Sequence, residues 1–467
     1  MGFVLSVLYL LVNYLTPPVV FGPLAQARVE LITATLLFFV SLPKLQGSLI
    51  FKTIQTAAVV GIMFAGSFSV LFGEGWAGGA LMALPNFLPS ALAYFVICLH
   101  CNSKKKLQVI VLMLLFVCLF VIAHGYIDLH QGLPEAGASR DEDTRSAEAA
   151  LWDREHPYLL RMGQDQGKQV YRLRGLGLIN DPNDFGQLVV CVIPLVFILW
   201  RPRRMVRNIV LVLLPVSVLL FGVFLSHSRG ALLALLALAV VAARRRVGTL
   251  PALMLAAGLF FAAMALHFTG GRDISAESGS DRTALWSEGL ELLKSHPLFG
   301  VGIGQMQEYT SEHLTAHNTV VVCAVELGLT GLYFWSLFLF ASLRDSLAVA
   351  SLPKVGEAVP IASEGEPSPQ GTGELEAIDR AEVKRRGRLV VLSFTGFLVA
   401  GWFLSRAYVM TFFLLGGIAE VFYEMALQRG MIAPRLPKAR VLSYSGIFAI
   451  SLVLLMYILL RLTNLMH

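Results

Sequence analysis

The stretch 314-LTAHNTVVVCAVELGLTGL-332 decides how this chain is read. From Val320 onward only Glu326 and Thr330 interrupt an apolar run, and His317 with Asn318 stands at its head. Such a run has the length and character of a membrane helix. An ionisable imidazole at its mouth is costly there, which marks it for a functional role. The rest of the chain agrees with a membrane setting. Of 467 residues, 56% are hydrophobic and only 15% charged, with a mean hydropathy of +0.69. A soluble domain of this size carries more charge and fewer long apolar runs.

Apolar segments lie at 3–16, 25–42, 53–72, 79–99, 107–124, 185–200, 208–225, 230–243, 249–268, 318–343, 389–404, 407–425 and 441–460. Closed helices satisfy their own backbone groups in lipid. The expectation is therefore an all-α polytopic membrane protein with about 12 transmembrane helices. The first run lacks a basic leader and a small-residue cleavage site, so it reads as a retained helix.

Lys44 with Lys52, Lys104 to Lys106, the cluster Arg201/Arg203/Arg204/Arg207, and Arg244 to Arg246 recur in alternate connections. Positive loops stay inside, which puts these connections and the N-terminus on the cytoplasmic side. The net charge of +6 is thus a topology signal and gives no reason to invoke nucleic acid. The same parity divides the chain into helices over 1–124, a first external loop over 125–184, and central helices over 185–268. A second external loop with an amphipathic helix follows over 269–317, then a helix over 318–343 and the C-terminal helices over 389–467. Between these last two, 344–388 (with VGEAVPIASEGEPSPQGTGELE) reads as a disordered cytoplasmic insert. No internal repeat of the kind that inverted-repeat transporters show is evident.

The five cysteines all fall in or beside apolar segments, so no external disulfide framework is indicated. CLHC at 98–101 has a redox or zinc spacing but stands alone at a helix end. Asp141-Glu142-Asp143 lies mid-loop in a polar run and reads as solvated. No metal site and no cofactor is expected from these residues.

Three further stretches lie on the same external side as His317. In 172-RLRGLGLINDPNDFGQ-187, Gly175 and Gly177 permit a tight turn, Pro182 breaks the chain before a helix, and Asn180 or Asp181 serves as its cap. A solvated interfacial loop is the plain alternative. In 225-LSHSRGALLALLALAVVAARRR-246, the apolar run from Ala231 to Ala243 spans only about 20 Å as a helix. Its inner end is pinned by Arg244 to Arg246, which draws Arg229 below the external interface; a snorkelling arginine is the alternative. In 281-DRTALWSEGLELLKSHPLFGVGIGQ-305, Leu285, Leu290, Leu293 and Leu298 with Trp286 describe an amphipathic helix that Pro297 stops. Arg282 falls in its first turn, where a cation opposes the helix dipole, so it is expected to serve an external anion. On a continuous helix, Val321, Ala324, Gly328 and Gly331 lie within about 40° of His317. That makes a small-residue groove crowned by the histidine, with Glu326 pointing away. Several arginines with one histidine suit a phosphate-bearing lipid, since guanidinium forks bind phosphate oxygens bidentately. Neighbouring cations keep the imidazole neutral and able to accept a proton.

His317-Asn318, then nine residues, then Gly328-Leu329-Thr330-Gly331 resembles the H-[NSQ]-x9-G-x-x-[GTY] signature of bacterial O-antigen ligases. Arg174-x-x-Gly177 with Pro182-Asn183, Ser228-Arg229-Gly230, and Arg282 leading to Pro297-Leu298-Phe299-Gly300-Val301-Gly302 resemble motifs of the wider superfamily of ligases, O-antigen polymerases and protein O-oligosaccharyltransferases. The resemblance covers roughly 172–332 and does not account for the 344–388 insert. It implies a GT-C-like fold in the bacterial inner membrane with its active site facing the periplasm. It also implies a donor of polysaccharide on undecaprenyl pyrophosphate, a lipid A–core acceptor, and inverting, metal-independent transfer. His317 would then take the acceptor proton, while Arg174, Arg229 and Arg282 hold the pyrophosphate and Asn318, Gly328 and Gly331 complete the motif.

Two rivals stand beside this reading. An O-antigen polymerase or a protein glycosylating enzyme would differ only in the acceptor. A lipid-linked sugar transporter would gather ionisable groups at the membrane midplane. Glu30, Glu326, Glu420 and Glu424 do fall in apolar segments, but most of the arginine and histidine signal lies at one face.

Overall fold

The computed structural model describes residues 1–20, 24, 27–45, 50, 53–131, 152–165, 168–266, 268, 277–352, 370–432 and 438–465. Each of the thirteen apolar segments contributes a helix. They are α1 (Gly2–Leu15), α2 (Val29–Leu45), α3 (Ile54–Gly73), α4 (Ala77–His100) and α5 (Lys104–His130). Next come α6 (Pro182–Leu199) and α7 (Met205–Ser226), then α8 (Arg229–Val247) and α9 (Thr249–Ala265). The amphipathic α10 (Glu277–Ser295) precedes α11 (Thr319–Ala350), α12 (Gln370–Gly401), α13 (Met410–Leu427) and α14 (Lys438–Leu465). Among the described residues, eight helices are long and apolar enough to cross a membrane, and α1 and α9 are shorter apolar helices. The chain is therefore a multi-pass helical membrane protein, with fewer full-length apolar helices than the expected 12. The shortfall has a simple cause: α2 has 17 residues, and α8 and α12 carry charged ends.

Helix α11 is the hub, packing on α3, α12, α13 and α14. Its most apolar window is 78% buried, against 22% for α14, so α11 is core and α14 faces lipid. Aromatic rings lock α11 to its neighbours. Phe397 of α12 stacks on Phe412 of α13 at 5.1 Å, and Phe412 meets Phe338 of α11 edge-on at 4.9 Å.

The connection between α5 and α6 contains a feature that apolar periodicity misses, a small antiparallel hairpin of β1 (Leu159–Asp165) and β2 (Lys168–Leu173). The acidic run at 141–143 lies outside the described residues. The 344–388 insert is corrected at both ends. Residues 344–350 continue α11 and 370–388 begin α12, while 353–369 lie outside the described residues. The helical part is held by charge: Glu382 pairs with Arg386, Lys104 and Arg201, and Asp379 pairs with Lys104 and Arg429. These groups come from the α4–α5 and α6–α7 connections, the start of α12 and the end of α13, so they mark one end of the bundle. The starts of α6, α8, α11 and α13 mark the other. This separation is the one that charge parity along the sequence requires.

Candidate active site

Four segments meet where α11 begins. Asn318 is the helix cap, its side chain accepting from the N–H groups of Val320 at 2.9 Å and Val321 at 3.2 Å. It is fully buried, and its amide donates back to the carbonyl of Trp402 at 3.2 Å. On either side of it the chain is hooked to the turn that leaves α12. The His317 N–H donates to Ser405 Oγ at 2.8 Å, and the Thr319 hydroxyl donates to the Leu404 carbonyl at 2.8 Å. His317 itself has φ 48, a left-handed conformation that non-glycine residues adopt at a cost and that cooperating hydrogen bonds must hold. It therefore precedes the helix rather than riding on its face.

The expected groove is corrected with it. Gly328 has φ 64 and ψ −169, which breaks α11 in two, so no single helical wheel carries His317, Ala324, Gly328 and Gly331 together. The break receives the loop after α10. Leu329 N–H donates to the Pro297 carbonyl at 2.8 Å and Thr330 N–H to Leu298 at 3.2 Å, while Val301 and Gly302 donate to Val325 and Glu326. A Cβ on Gly328 would sit 2.5 Å from the Leu298 backbone, and one on Gly331 would strike Leu327. Both motif glycines thus serve the break and its strand-like seam, not a neighbouring helix. Glu326 gains an assignment too. Buried at the seam, its carboxylate accepts from the backbone of Gly304 and Met306. In this way Pro297–Gly302 and Gly328–Gly331, far apart in sequence, form one structure.

Arg229 opens α8 behind Ser228, whose hydroxyl caps the helix by accepting from Ala231 N–H at 3.3 Å. Arg282 lies over the Phe403 ring, 5.9 Å from its centroid. Because α10 starts at Glu277, Arg282 lies past the first turn, and the expectation that placed it there is corrected. What it opposes is a second cation: burial and then the neighbouring Arg229 both push its pKa down. His317 is likewise shifted below 6.5, first by burial and then by Arg282, with Asp181 acting in the opposite sense. Three of the expected residues, Arg229, Arg282 and His317, are thus electrostatic neighbours. Asp181 joins them as the cap of α6, accepting from Asn183 N–H at 2.7 Å.

Arg174 is placed differently. Its guanidinium donates to the Pro157 carbonyl at 3.1 Å and to Asp153 at 2.9 Å, which fastens the residues before the hairpin to those after it. Two residues earlier, the buried Arg172 reaches the Ser226 carbonyl at 2.8 Å and Asn183 at 2.9 Å, and so ties the Pro182-Asn183 and Ser228-Arg229 segments together.

Sequence reading passed over the turn 401–409. It supplies Ser405 to His317, Phe403 to Arg282, and Arg406, which pairs with the buried Asp184 at 2.7 Å. The signal was present in the parity: a connection between apolar runs 389–404 and 407–425 falls on the same side as the other arginines. Trp286 of α10 closes the arrangement, donating to the Ala316 carbonyl at 2.7 Å and packing edge-on against Trp402. Among the described residues, no three His, Cys, Asp or Glu side chains are grouped to hold a metal ion.

Residues 214–336 match the family model described as O-antigen ligase. The matched stretch runs from within α7 into α11 and contains Arg229, Arg282, His317, Asn318, Gly328 and Gly331; Arg174 and the 401–409 turn lie outside it. No curated protein matches the chain.

Proposed function

We propose that the chain is an O-antigen ligase, a reading supported by the match of residues 214–336 to the O-antigen ligase family model. It transfers polysaccharide from undecaprenyl pyrophosphate to a sugar hydroxyl of lipid A–core, at the periplasmic face of the inner membrane. The observation that carries this reading is the gathering of Arg229, Arg282 and His317 at the head of a membrane helix, where burial and then Arg282 lower the histidine's pKa.

The chemistry follows from charge. His317 takes the proton of the acceptor hydroxyl, and the oxygen attacks the anomeric carbon of the sugar next to the pyrophosphate. The bond from that carbon to the pyrophosphate oxygen breaks, and polyprenyl pyrophosphate leaves with the electron pair. Attack opposite the leaving group inverts the anomeric centre. Arg229 and Arg282 balance the charge that grows on the leaving group, as preorganised cations do most effectively where water is scarce. Arg174 has a supporting role, holding the loop over the site. The arginines supply what a metal ion supplies elsewhere, so chelators leave the rate unchanged.

The test is to incubate purified protein with lipid-linked O-antigen and rough lipopolysaccharide. A ladder of polysaccharide-bearing lipopolysaccharide supports the ligase. Chain growth on the lipid-linked donor alone marks a polymerase instead, and movement of donor between leaflets without a new glycosidic bond marks a transporter.

A further inference from the structure

Directly below the Asn318 cap, an apolar cavity of about 200 Å³ opens between α11, α12 and α14. Its walls include Val320, Leu339, Phe397, Phe448 and Leu452, and its upper rim is Thr319, Gly401 and Trp402. The one hydroxyl on this rim, that of Thr319, is already donated to the Leu404 carbonyl. The Trp335 indole N–H is likewise donated to the Ala407 carbonyl, and the rest of the wall is almost wholly apolar. The volume lies below the roughly 300–1,000 Å³ that encloses a drug-sized molecule, so it suits a length of hydrocarbon chain whose remainder lies in the bilayer.

The rim connects this cavity to the cations. Arg282 lies over Phe403, the residue after Trp402. Gly230, next to Arg229, is so close to the same turn that a Cβ there would stand 3.2 Å from Phe403 Cβ and 3.7 Å from the Ala400 carbonyl. Both arginines therefore border residues 400–403, of which two form the cavity's rim. A lipid whose pyrophosphate sits on Arg229 and Arg282 has its first carbons at that turn, and the nearest apolar recess is this one.

We propose that the cavity between α11, α12 and α14 seats the isoprene units of the donor next to the pyrophosphate, so that the enzyme reads the lipid carrier as well as its charge. This rests on the ligase reading for the identity of the donor. It adds a hydrocarbon subsite that holds the scissile bond at a fixed depth beneath His317.

The experiment uses the full-length protein in nanodiscs and a glycan-free polyprenyl pyrophosphate with a diazirine on the isoprene nearest the pyrophosphate. After irradiation, the expected label falls on peptides carrying residues 335–339 or 448–452, and unlabelled polyprenyl pyrophosphate competes it away while phospholipid does not. Leu452→Trp, which fills the cavity, lowers labelling by about tenfold or more. Leu454→Trp, on the same helix but 54% exposed, leaves it unchanged. Leu339→Phe narrows the cavity from the facing helix, so loss of fold in one variant leaves the test standing. Label on other helices, equal competition by phospholipid, or wild-type labelling in the filled variants overturns the proposal. Transfer is assayed separately with glycan-bearing donor: cavity labelling by the glycan-free probe with no transfer in that assay sinks the ligase reading alone, and transfer there with label elsewhere sinks the cavity alone.

Discussion

The two ends of the bundle handle cations in opposite ways. At one end Lys104, Arg201, Arg386 and Arg429 converge on Glu382 and Asp379, so each positive group meets a carboxylate. At the other, Arg282 faces Arg229 and an aromatic ring, and His317 feels Arg282 as a cation. Among the described carboxylates here, Asp181 caps α6 and Asp184 holds Arg406. Like charges brought together away from water raise the energy of the folded chain. A fold retains such an arrangement where it is part of the mechanism, with stability drawn from elsewhere. The first end is held together by ion pairs, and the second brings together the two arginines proposed to receive the donor's pyrophosphate.

The contrast can be broken most severely at His317. His317→Ala should lose about 10²-fold or more in transfer, the usual contribution of a general base, while donor binding and thermal stability persist. Wild-type transfer by that variant would reduce the histidine to a packing residue. Next, Arg229→Ala and Arg282→Ala should each lose about 10-fold or more, roughly 1.4 kcal/mol of transition-state stabilisation. Lysine should rescue poorly because it lacks the guanidinium fork. Thermal melts sharpen the same point, since Arg282→Ala should melt no lower than wild type in the absence of donor. By contrast Glu382→Ala, at the opposite end, should melt lower, by roughly 1–3 kcal/mol for strandling partly buried cations, with transfer per folded molecule unchanged. A destabilised Arg282→Ala together with an unaffected Glu382→Ala would reverse the comparison.

The smallest expected effect is on pH dependence. In the proposed mechanism neutral His317 is the working form, and burial and then Arg282 hold its pKa below the ordinary imidazole value. Activity should thus be full at neutral pH and fall only as pH drops through that lowered value. Arg282→Ala removes one of the two influences that depress it, so the acid limb of its residual activity should move to higher pH. A limb that stays in place would dissociate the arginine from the histidine.

Much of the fold was legible because apolar runs and charge parity are local properties. All thirteen runs contribute helices, Asp181 caps α6 as one of two expected residues, and the helix before Pro297 is present. The departures share a non-local cause. Gly328 looks like a helix-packing glycine until the 297–302 loop, some thirty residues earlier in the chain, is seen inserted at the break. His317 appears to crown a helix until Ser405 is found holding it ahead of the cap. Arg174 fits a motif by spacing, yet its partner Asp153 lies across a hairpin that hydropathy does not reveal. In the 344–388 insert, low hydropathy concealed helical ends, the second of which is held by ion pairs to Lys104, Arg201 and Arg429 from three other parts of the chain.

The central claim is that Arg229 and Arg282 form an anion seat for a lipid pyrophosphate. The most direct measurement is the thermal stability of the purified protein with and without undecaprenyl pyrophosphate. Ligand at about 100 times its Kd stabilises a folded protein by about 2.7 kcal/mol. Wild type and Glu382→Ala should both gain an upward shift in melting temperature, and the double variant Arg229→Ala/Arg282→Ala should gain none. A wild-type melt that does not move, or a double variant that moves as far as wild type, would contradict the account.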